Sequence, residues 1–565
     1  MPSYTPPIRD VRFVLTRLLD LASTVDEDLI DAILSEAGRF ASEVVAPLNQ
    51  PGDRAGCTRR TDGSVSTPPG YPEAYRLYRE SGWGTLALAE EHGGQGMPLV
   101  LATAVEEFLN SACHAFNMYP GLTHGAVSVL IDRGSEELKA AYLSALVSGE
   151  WLGTMALTEP QAGTDLGLIR TRAVPRGDGA YAITGEKIFC SGGEHDLTDN
   201  IVHLVLAKLP DAPEGSRGIS LFVVPKVLPD GTRNAVACGA IEHKMGIRGS
   251  ATCAMHFDGA AGWLVGGENE GLAAMFIMMN AARLSCGNQG LAQAELAYQF
   301  AAAYALERRQ GRAPGSRDAA DPLIVHPDVR RMLMDARAFI EGFRALVLWT
   351  AWQIDQGEDQ LVGLLTPVIK AYGTDRGFET AVAMQQVFGG HGYVTESGIE
   401  QIVRDARVAM LYEGANGVQA IDLVGRKLLR DGGVTAERFI ALVEGECETA
   451  PQELHFLSAP LREAVHEARE AALWLLSAGK HDPNDLNAGA YAFLQLIGVM
   501  AVGWMWLRLA KAALPDADEP FCAAKLATAR HYALHALPQV AALRRKVEAG
   551  APVLMALPAE AFARD

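Results

Sequence analysis

Four short segments hold residue types that do chemistry. Ala156-Leu157-Thr158-Glu159-Pro160-Gln161-Ala162-Gly163-Thr164-Asp165 leaves a predicted strand and enters a loop. Its hydroxyls and unpaired backbone N–H groups suit the carbonyls and nitrogens of a planar heterocycle, although a tight connection would explain the same residues. In Gly185-Glu186-Lys187-Ile188-Phe189-Cys190-Ser191-Gly192-Gly193 an aromatic is followed two residues later by a hydroxyl, which places Phe189 and Ser191 on one face of a strand. A flat ring could pack on Phe189 and take a hydrogen bond from Ser191; a phenyl in a barrel core is the competing reading. In Gln386-Val387-Phe388-Gly389-Gly390-His391-Gly392-Tyr393 the glycines permit close backbone approach and positive φ, as phosphate cradles do. His391 has no His or carboxylate at ligand spacing, so no metal site is read there.

The fourth segment is Leu411-Tyr412-Glu413-Gly414-Ala415-Asn416-Gly417-Val418-Gln419. Asn416 and Gln419 stand as an N-cap and N3 pair, predicting a helix from Gly417 with an apolar face of Val418, Ile421, Val424 and Leu428. Glu413 lies just before that start, beside Gly414, where a substrate could reach the carboxylate. A carboxylate favoured by the helix N-terminus is the alternative.

The elements that must hold these segments follow from periodicity. Helical spacing runs through Val11–Leu21, Leu29–Val45, Tyr71–Ser81, Leu99–Asp132 and Glu136–Val147, interrupted by a predicted loop at Gln50–Gly70. Short β-rich runs follow at Trp151–Leu157, Tyr181–Phe189, Ile201–Lys208, Ile219–Val224, Val236–Ile241 and Thr252–Phe257. The helical period returns in Leu272–Gln310, His326–Gln356, Leu361–Phe388 and Gly417–Arg430, with a last helical block joined through Asp431-Gly432-Gly433. The expected domains are 1–150 helical, 151–270 β, 271–430 helical and a helical extension at 431–565.

Composition narrows the function classes. A chain of 565 residues with 49% hydrophobic and 21% charged residues is a packed globular protein of several domains, not a disordered one. Its 49 Lys and Arg against 68 Asp and Glu give a net charge of −19, which argues against nucleic acid and anionic membrane surfaces as partners. Eight scattered cysteines without a CxxC pair fit neither a zinc site nor a disulfide framework, and suit a reducing cytosol. The first residues lack the features of a signal or transit peptide. Ala488–Leu507 has the length and apolarity of a membrane span, yet the acidic residues flanking it favour a buried helix.

Together the four segments, in their order and spacing, closely resemble the acyl-CoA dehydrogenases. Tyr4, Pro6, Asp10 and Phe13, the stretch Ile324–Arg330 and the extension are similar to the longer, bacterial-type branch, which includes the methylmercaptopropionyl-CoA dehydrogenases. The resemblance implies a multidomain α+β fold: an N-terminal helical domain, a middle β-barrel, a C-terminal helical bundle and the helical extension. It implies FAD lying between the middle and C-terminal domains. Met155, Ala156, Leu157, Thr158, Gly163, Thr164, Phe189 and Ser191 would contact the flavin. Arg308 and Gln310 would face its pyrophosphate and adenosine portion. Gln386, Val387, Phe388, Gly389 and Gly390 would reach the FAD of a neighbouring subunit, implying a homodimer or a dimer of dimers, and Ala415, Asn416 and Gly417 would sit against the FAD again. Thr164, Asn280, Arg283 and Gly414 would hold the acyl-CoA.

On the same resemblance Glu413 is the base that removes the α-proton of an acyl thioester as hydride leaves Cβ for the flavin. Burial would raise its pKa and the helix start would lower it. Some relatives carry the base immediately before the equivalent of Arg283, where this chain has Ala282. The activity implied is FAD-dependent α,β-dehydrogenation of an acyl-CoA to a trans-2-enoyl-CoA, with electrons passed to an electron-transfer flavoprotein, in the cytoplasm. An oxygen-using acyl-CoA oxidase and a non-catalytic scaffold on the same fold are the alternatives. Three departures from the family pattern stand out: Leu168 where a small residue is usual, Gln401 where Lys or Arg is usual, and an insertion at Gly311–Pro322. The extension is expected to fold over the C-terminal helical domain.

Overall fold

Most of the segments with helical spacing are helices, and the β-rich runs are strands, in the computed structural model, which describes residues 3–563. The chain begins with α1 (Ile8–Phe13) and α2 (Glu27–Phe40). Gln50–Gly70, expected to be loop, contains α3 (Asn49–Ala55) and a hairpin of β1 (Thr58–Arg59) and β2 (Val65–Ser66). Pro51, which suggested a turn, sits in the first turn of α3, where the missing N–H removes no helical bond. Then come α4 (Tyr71–Glu80), α5 (Leu99–Arg133), and α6 (Glu136–Leu138) running through a π-turn into α7 (Ser144–Val147). Packing groups Glu36–Ala282 as one unit, and the residues before it together with those after Ala282 as a second.

The first unit holds seven strands in one sheet: β3 (Leu152–Ala156), β4 (Arg172–Pro175), β5 (Tyr181–Ser191), β6 (Ile201–Lys208), β7 (Ile219–Pro225), β8 (Val236–Ile241) and β9 (Thr252–Val265). Pairings run β6–β4–β5–β9–β7 and back to β6, so the sheet closes into a barrel, with β3 parallel on β6 and β8 antiparallel on β9. β4 was not expected: it is four residues long, mostly exposed and ends in proline. All five residues of β3 are buried. Its Gly153 lets the strand approach α5, because a Cβ there would lie 2.6 Å from the Ala126 Cβ.

In the second unit α8 (Gly271–Glu307) continues from the first, followed by α9 (Pro327–Asp355), α10 (Asp359–Val387), α11 (Ile399–Arg407) and α12 (Asn416–Asp422). The extension adds α13 (Val434–Glu448), α14 (His455–Ala478), α15 (Pro483–Ala513), α16 (Pro520–His535) and α17 (Gln539–Glu548). A buried ion cluster ties the N-terminal helix into this unit: Asp10 pairs with Arg344 and Lys525, Arg344 with Glu295 at 2.6 Å, and Lys525 with Glu341 at 2.7 Å. Among the described residues one helix, that of Ala488–Leu507, is long and apolar enough to cross a membrane, and 89% of its apolar stretch is buried in protein. Trp504 and Trp506 are fully buried, and the Trp506 indole donates to the Ala338 carbonyl at 2.8 Å. Gly498 brings α15 against the Tyr372 ring of α10, since a Cβ there would come within 2.4 Å of it. The extension thus folds over the helical domain. Each such large apolar side chain, once buried, contributes about 1.5–3 kcal/mol.

Candidate active site

Glu413 sits in the short link between α11 with its trailing turn and α12. Its φ is +54°, left-handed for a non-glycine residue, and Gly414 follows at +83°. Strained backbone of this kind persists only where neighbours hold it. Two side chains do so. Gln419 Nε2 donates to the Glu413 carbonyl at 2.9 Å, and Lys370 Nζ of α10 donates to the Gly414 carbonyl at 2.8 Å.

The expected capping pair is not formed. The helix begins one residue early, with Ala415 at the N-cap position and no side-chain cap. Asn416 instead turns its amide inward: Oδ1 accepts from Lys370 Nζ at 2.8 Å, and Nδ2 donates to Asp375 Oδ1 at 2.7 Å. Gln419 serves the Glu413 peptide. A buried Lys and a buried Asp attract an amide more strongly than open backbone N–H groups do. Of the expected apolar face, Val424 and Leu428 are buried and Ile421 is exposed.

Burial pushes the Glu413 carboxyl up to about 7, against the pull of the Lys370 and Arg283 charges. The helix start was expected to supply the opposing pull; two cations supply it. Arg283 is itself buried, paired with Asp422 at 3.0 Å, and its Nε has no partner among the described residues. Burial lowers the pKa of Lys370. The sequence reading missed this lysine, although a lone cation in the apolar run Leu364–Tyr372 is a signal in itself.

In the other unit, a β-bulge between Lys187 and Cys190 takes Phe189 out of the β5–β9 ladder at φ +57°. The pleat argument that set Phe189 and Ser191 on one face fails there, and so does a barrel-core phenyl, because Phe189 is 59% exposed. The hydroxyls of Thr158 and Ser191 make no hydrogen bond among the described residues. Met155 and Ala156 are buried in the core, while Gly163 and Thr164 are exposed. The two segments are locked together by a pair not singled out in advance. Lys187 Nζ reaches Glu159 Oε1 at 2.9 Å and the Leu157 carbonyl at 3.0 Å, and Glu159 also accepts from Thr171 and the Arg170 N–H.

The remaining candidates lie on surfaces. Asn280, Arg308 and Gln310 are exposed, as are Gln386, Gly389, Gly390 and Gly417. Val387 and Phe388 are buried, Phe388 stacking on Tyr304 at 4.2 Å. Leu168 is exposed, and Gln401 is buried with its amide on Asp405 at 3.1 Å.

Comparison with known proteins addresses the chain as a whole. Residues 28–150, 154–260 and 269–429 match the acyl-CoA dehydrogenase N-terminal, middle and C-terminal domains, and 439–558 match the acetyl-CoA dehydrogenase C-terminal-like domain. The chain is 44% identical to 3-methylmercaptopropionyl-CoA dehydrogenase of Ruegeria pomeroyi, over 96% of this chain and 98% of that protein. It is 34% identical to the broad-specificity linear acyl-CoA dehydrogenase FadE5 of Mycobacterium tuberculosis, over the whole of both. A crystal structure of an acyl-CoA dehydrogenase from Bacillus anthracis complexed with FAD shares the fold, with a TM-score of 0.76 at 20% identity, over 96% of this chain and 89% of that one. With its N-terminal, middle and C-terminal domains all matched and 44% identity to a relative over 96% of its length, the chain belongs to the acyl-CoA dehydrogenase family.

Proposed function

We propose that the protein binds FAD and dehydrogenates an acyl-CoA thioester at Cα and Cβ to the trans-2-enoyl-CoA, passing the electrons to an electron-transfer flavoprotein. The observation that carries this reading is Glu413, a half-buried, desolvated carboxyl with a pKa near neutrality, whose own carbonyl is held by Gln419 and the next one by Lys370. A general base works best when its pKa lies near the operating pH. With Ala282 at the alternative base position, the proton has Glu413 as its acceptor.

The residues present suit FAD. Phe189 offers an exposed ring face, the Thr158 and Ser191 hydroxyls are free to pair with flavin polar atoms, and exposed Arg308 suits a pyrophosphate. When bound, FAD supplies the acceptor for the hydride that leaves Cβ. The chain supplies the rest. The Glu413 carboxylate takes the Cα proton, and its main-chain N–H faces the thioester oxygen as that oxygen gains charge. Gly414, without a side chain, leaves room for the thioester. Lys370 and Arg283 pull the carboxyl back toward ionisation against burial, which leaves it near neutrality. Thr164 and Asn280 are exposed for contact with the acyl-CoA, and the partnerless Nε of Arg283 is a donor for the same ligand.

Exposed Gln386, Gly389 and Gly390 support a homodimer in which this stretch meets the neighbouring subunit's FAD. Tyr393, 90% exposed three residues on, extends that surface. Eight free thiols and a net charge of −19 support a cytoplasmic location. The test is anaerobic titration of the purified protein with a panel of acyl-CoAs, following the flavin absorbance. Bleaching by at least one acyl-CoA is expected, with reoxidation by an electron-transfer flavoprotein. Protein that carries no flavin, or flavin that no acyl-CoA bleaches, overturns the reading; stoichiometric peroxide in air converts it to an oxidase.

A further inference from the structure

Beyond Lys370, α10 buries a second charge, Asp375, for which the proposed chemistry has no use. Its Oδ1 accepts from Asn416 Nδ2 at 2.7 Å. Its Oδ2 accepts from two residues of α15 in the extension, Tyr491 Oη at 2.5 Å and Gln495 Nε2 at 2.7 Å. Asn416 Oδ1 in turn accepts a hydrogen bond from Lys370 Nζ at 2.8 Å, and the same Nζ donates to the Gly414 carbonyl at 2.8 Å. The hydrogen bonds therefore run without a break from the extension to the carbonyl of Gly414, the residue that follows Glu413. Thr374 closes the chain laterally, accepting from Asn416 Nδ2 at 3.0 Å.

We infer that Tyr491, Gln495 and Asp375 are positioning residues for the reaction: through Asn416 and Lys370, the C-terminal extension fixes the Gly414 carbonyl, and with it the turn immediately after the base. The inference rests on Glu413 being that base. Its physical ground is geometric. Glu413 holds a left-handed backbone that is costly for a side-chain-bearing residue, its own carbonyl is held by Gln419, and the next carbonyl, that of Gly414, by Lys370. An ammonium has three donors and swings freely unless its acceptors fix it. Lys370 donates to two acceptors, the Gly414 carbonyl and Asn416 Oδ1, and Asn416 is itself oriented by Asp375. Asp375 keeps its rotamer because two donors from a different helix hold its far oxygen. Removing those donors frees the series from the outside, with no residue near the substrate altered.

The test uses full-length, FAD-loaded protein and reads the rate of flavin reduction at saturating acyl-CoA. Tyr491→Phe together with Gln495→Leu should slow that rate about tenfold, since misplacing a reacting group by an ångström costs on the order of a hundredfold and outer tethers control part of that placement. KM and FAD content should stay near those of the parent, a split that a merely structural role would not give, although the melting temperature falls because the buried Asp375 Oδ2 loses both its donors. In a Lys370→Met background the same pair should have no further effect, because the link to Gly414 is already cut. Tyr491→Phe alone, at a 44% exposed position, replaces the double variant if that one does not fold, with a few-fold loss expected. An unchanged rate overturns the inference, as does a loss undiminished in the Lys370→Met background or one that follows FAD content. Glu413→Gln, measured alongside, keeps the two readings apart. A parental rate there removes the base assignment, whereas a dead Glu413→Gln beside unaffected Tyr491 and Gln495 variants removes only the positioning role.

Discussion

Replacing Glu413 by Gln tests the site from two sides, because the same burial that tunes the base also costs stability. The carboxyl stands at about 7 instead of its usual 4.5, raised by burial and restrained by Lys370 and Arg283. At 1.36 kcal/mol per pH unit this is at most about 3 kcal/mol against the ionised native form. In kcat/KM, which reports the free enzyme, the rate should climb about tenfold per pH unit in acid and level off above about pH 7. Glu413→Gln should lose on the order of 10²–10⁴-fold, or more if proton removal gates hydride loss, with no such limb. The linkage has a definite sign. The folded pKa lies above the unfolded one, so between about 4.5 and 7 the native state holds more protons, and stability falls as pH rises through that window. Glutamine cannot ionise. Melting curves of parent and variant should therefore coincide near pH 4.5, and the variant should be the more stable at about pH 8, by up to about 3 kcal/mol. A flat kcat/KM profile, or a variant no more stable at about pH 8 than in acid, would falsify the claim that burial sets this carboxyl.

Arg283→Ala removes one of the two cations acting on Glu413, so the acid limb of kcat/KM should move to higher pH while acyl-CoA affinity falls roughly ten- to hundredfold; a limb that stays in place with unchanged KM takes Arg283 out of the site. Lys187→Met strands Glu159 in the barrel, a loss of about 3–5 kcal/mol by urea melts at neutral pH. Because Lys187 and its hydrogen bonds hold the Glu159 carboxyl down at about 2, against burial, that deficit should shrink as pH falls from about 4.5 toward 2; a pH-independent gap contradicts it. A chain ending at Arg430 loses Trp504, Trp506 and the cover over Tyr372, and should aggregate or shed FAD. Full activity from that shortened chain, with the intact protein pelleting on lipid vesicles, would instead favour membrane docking by α15.

The elements were legible wherever one period dominated. Ile201–Lys208 and Val236–Ile241 read at their observed ends, and the apolar run at Ala488–Leu507 read as a buried helix. Failures came where a local rule lost to a tertiary contact. Thr252–Phe257 continues to Val265 because β5 and β7 pair along the added length, past an Asp-Gly that reads as a stop. Asn416 obeys capping chemistry in sequence and abandons it in the fold, drawn to two buried charges that lie more than forty residues earlier. Phe189 has the right residue type, yet its exposure comes from a bulge that no alternation pattern announces. Glu413 could be picked out by its glycine neighbour and its family motif. The cations that restrain its pKa against burial, and the side chains that hold its backbone, lie on α8, α10 and α12, and no spacing rule connects those helices.

The series from Tyr491 to Gly414 has an unmatched atom at each end. Among the described residues, the amide oxygens of Gln495 and Gln419 are buried without a partner, while the amide nitrogens donate at 2.7 and 2.9 Å. A buried acceptor left open costs about 1–3 kcal/mol, so neither glutamine is placed there by stability alone. Each residue is tolerated for its donor. Leucine at 495 removes the open acceptor together with the donor, and Asp375 Oδ2 still keeps Tyr491 Oη. Stability should therefore change little on Gln495→Leu, or rise, while the rate of flavin reduction falls. A role in packing alone moves both quantities down together. The opposite movement of stability and rate is what separates a residue that holds the base from one that only fills space, and at this position the two measurements suffice to decide.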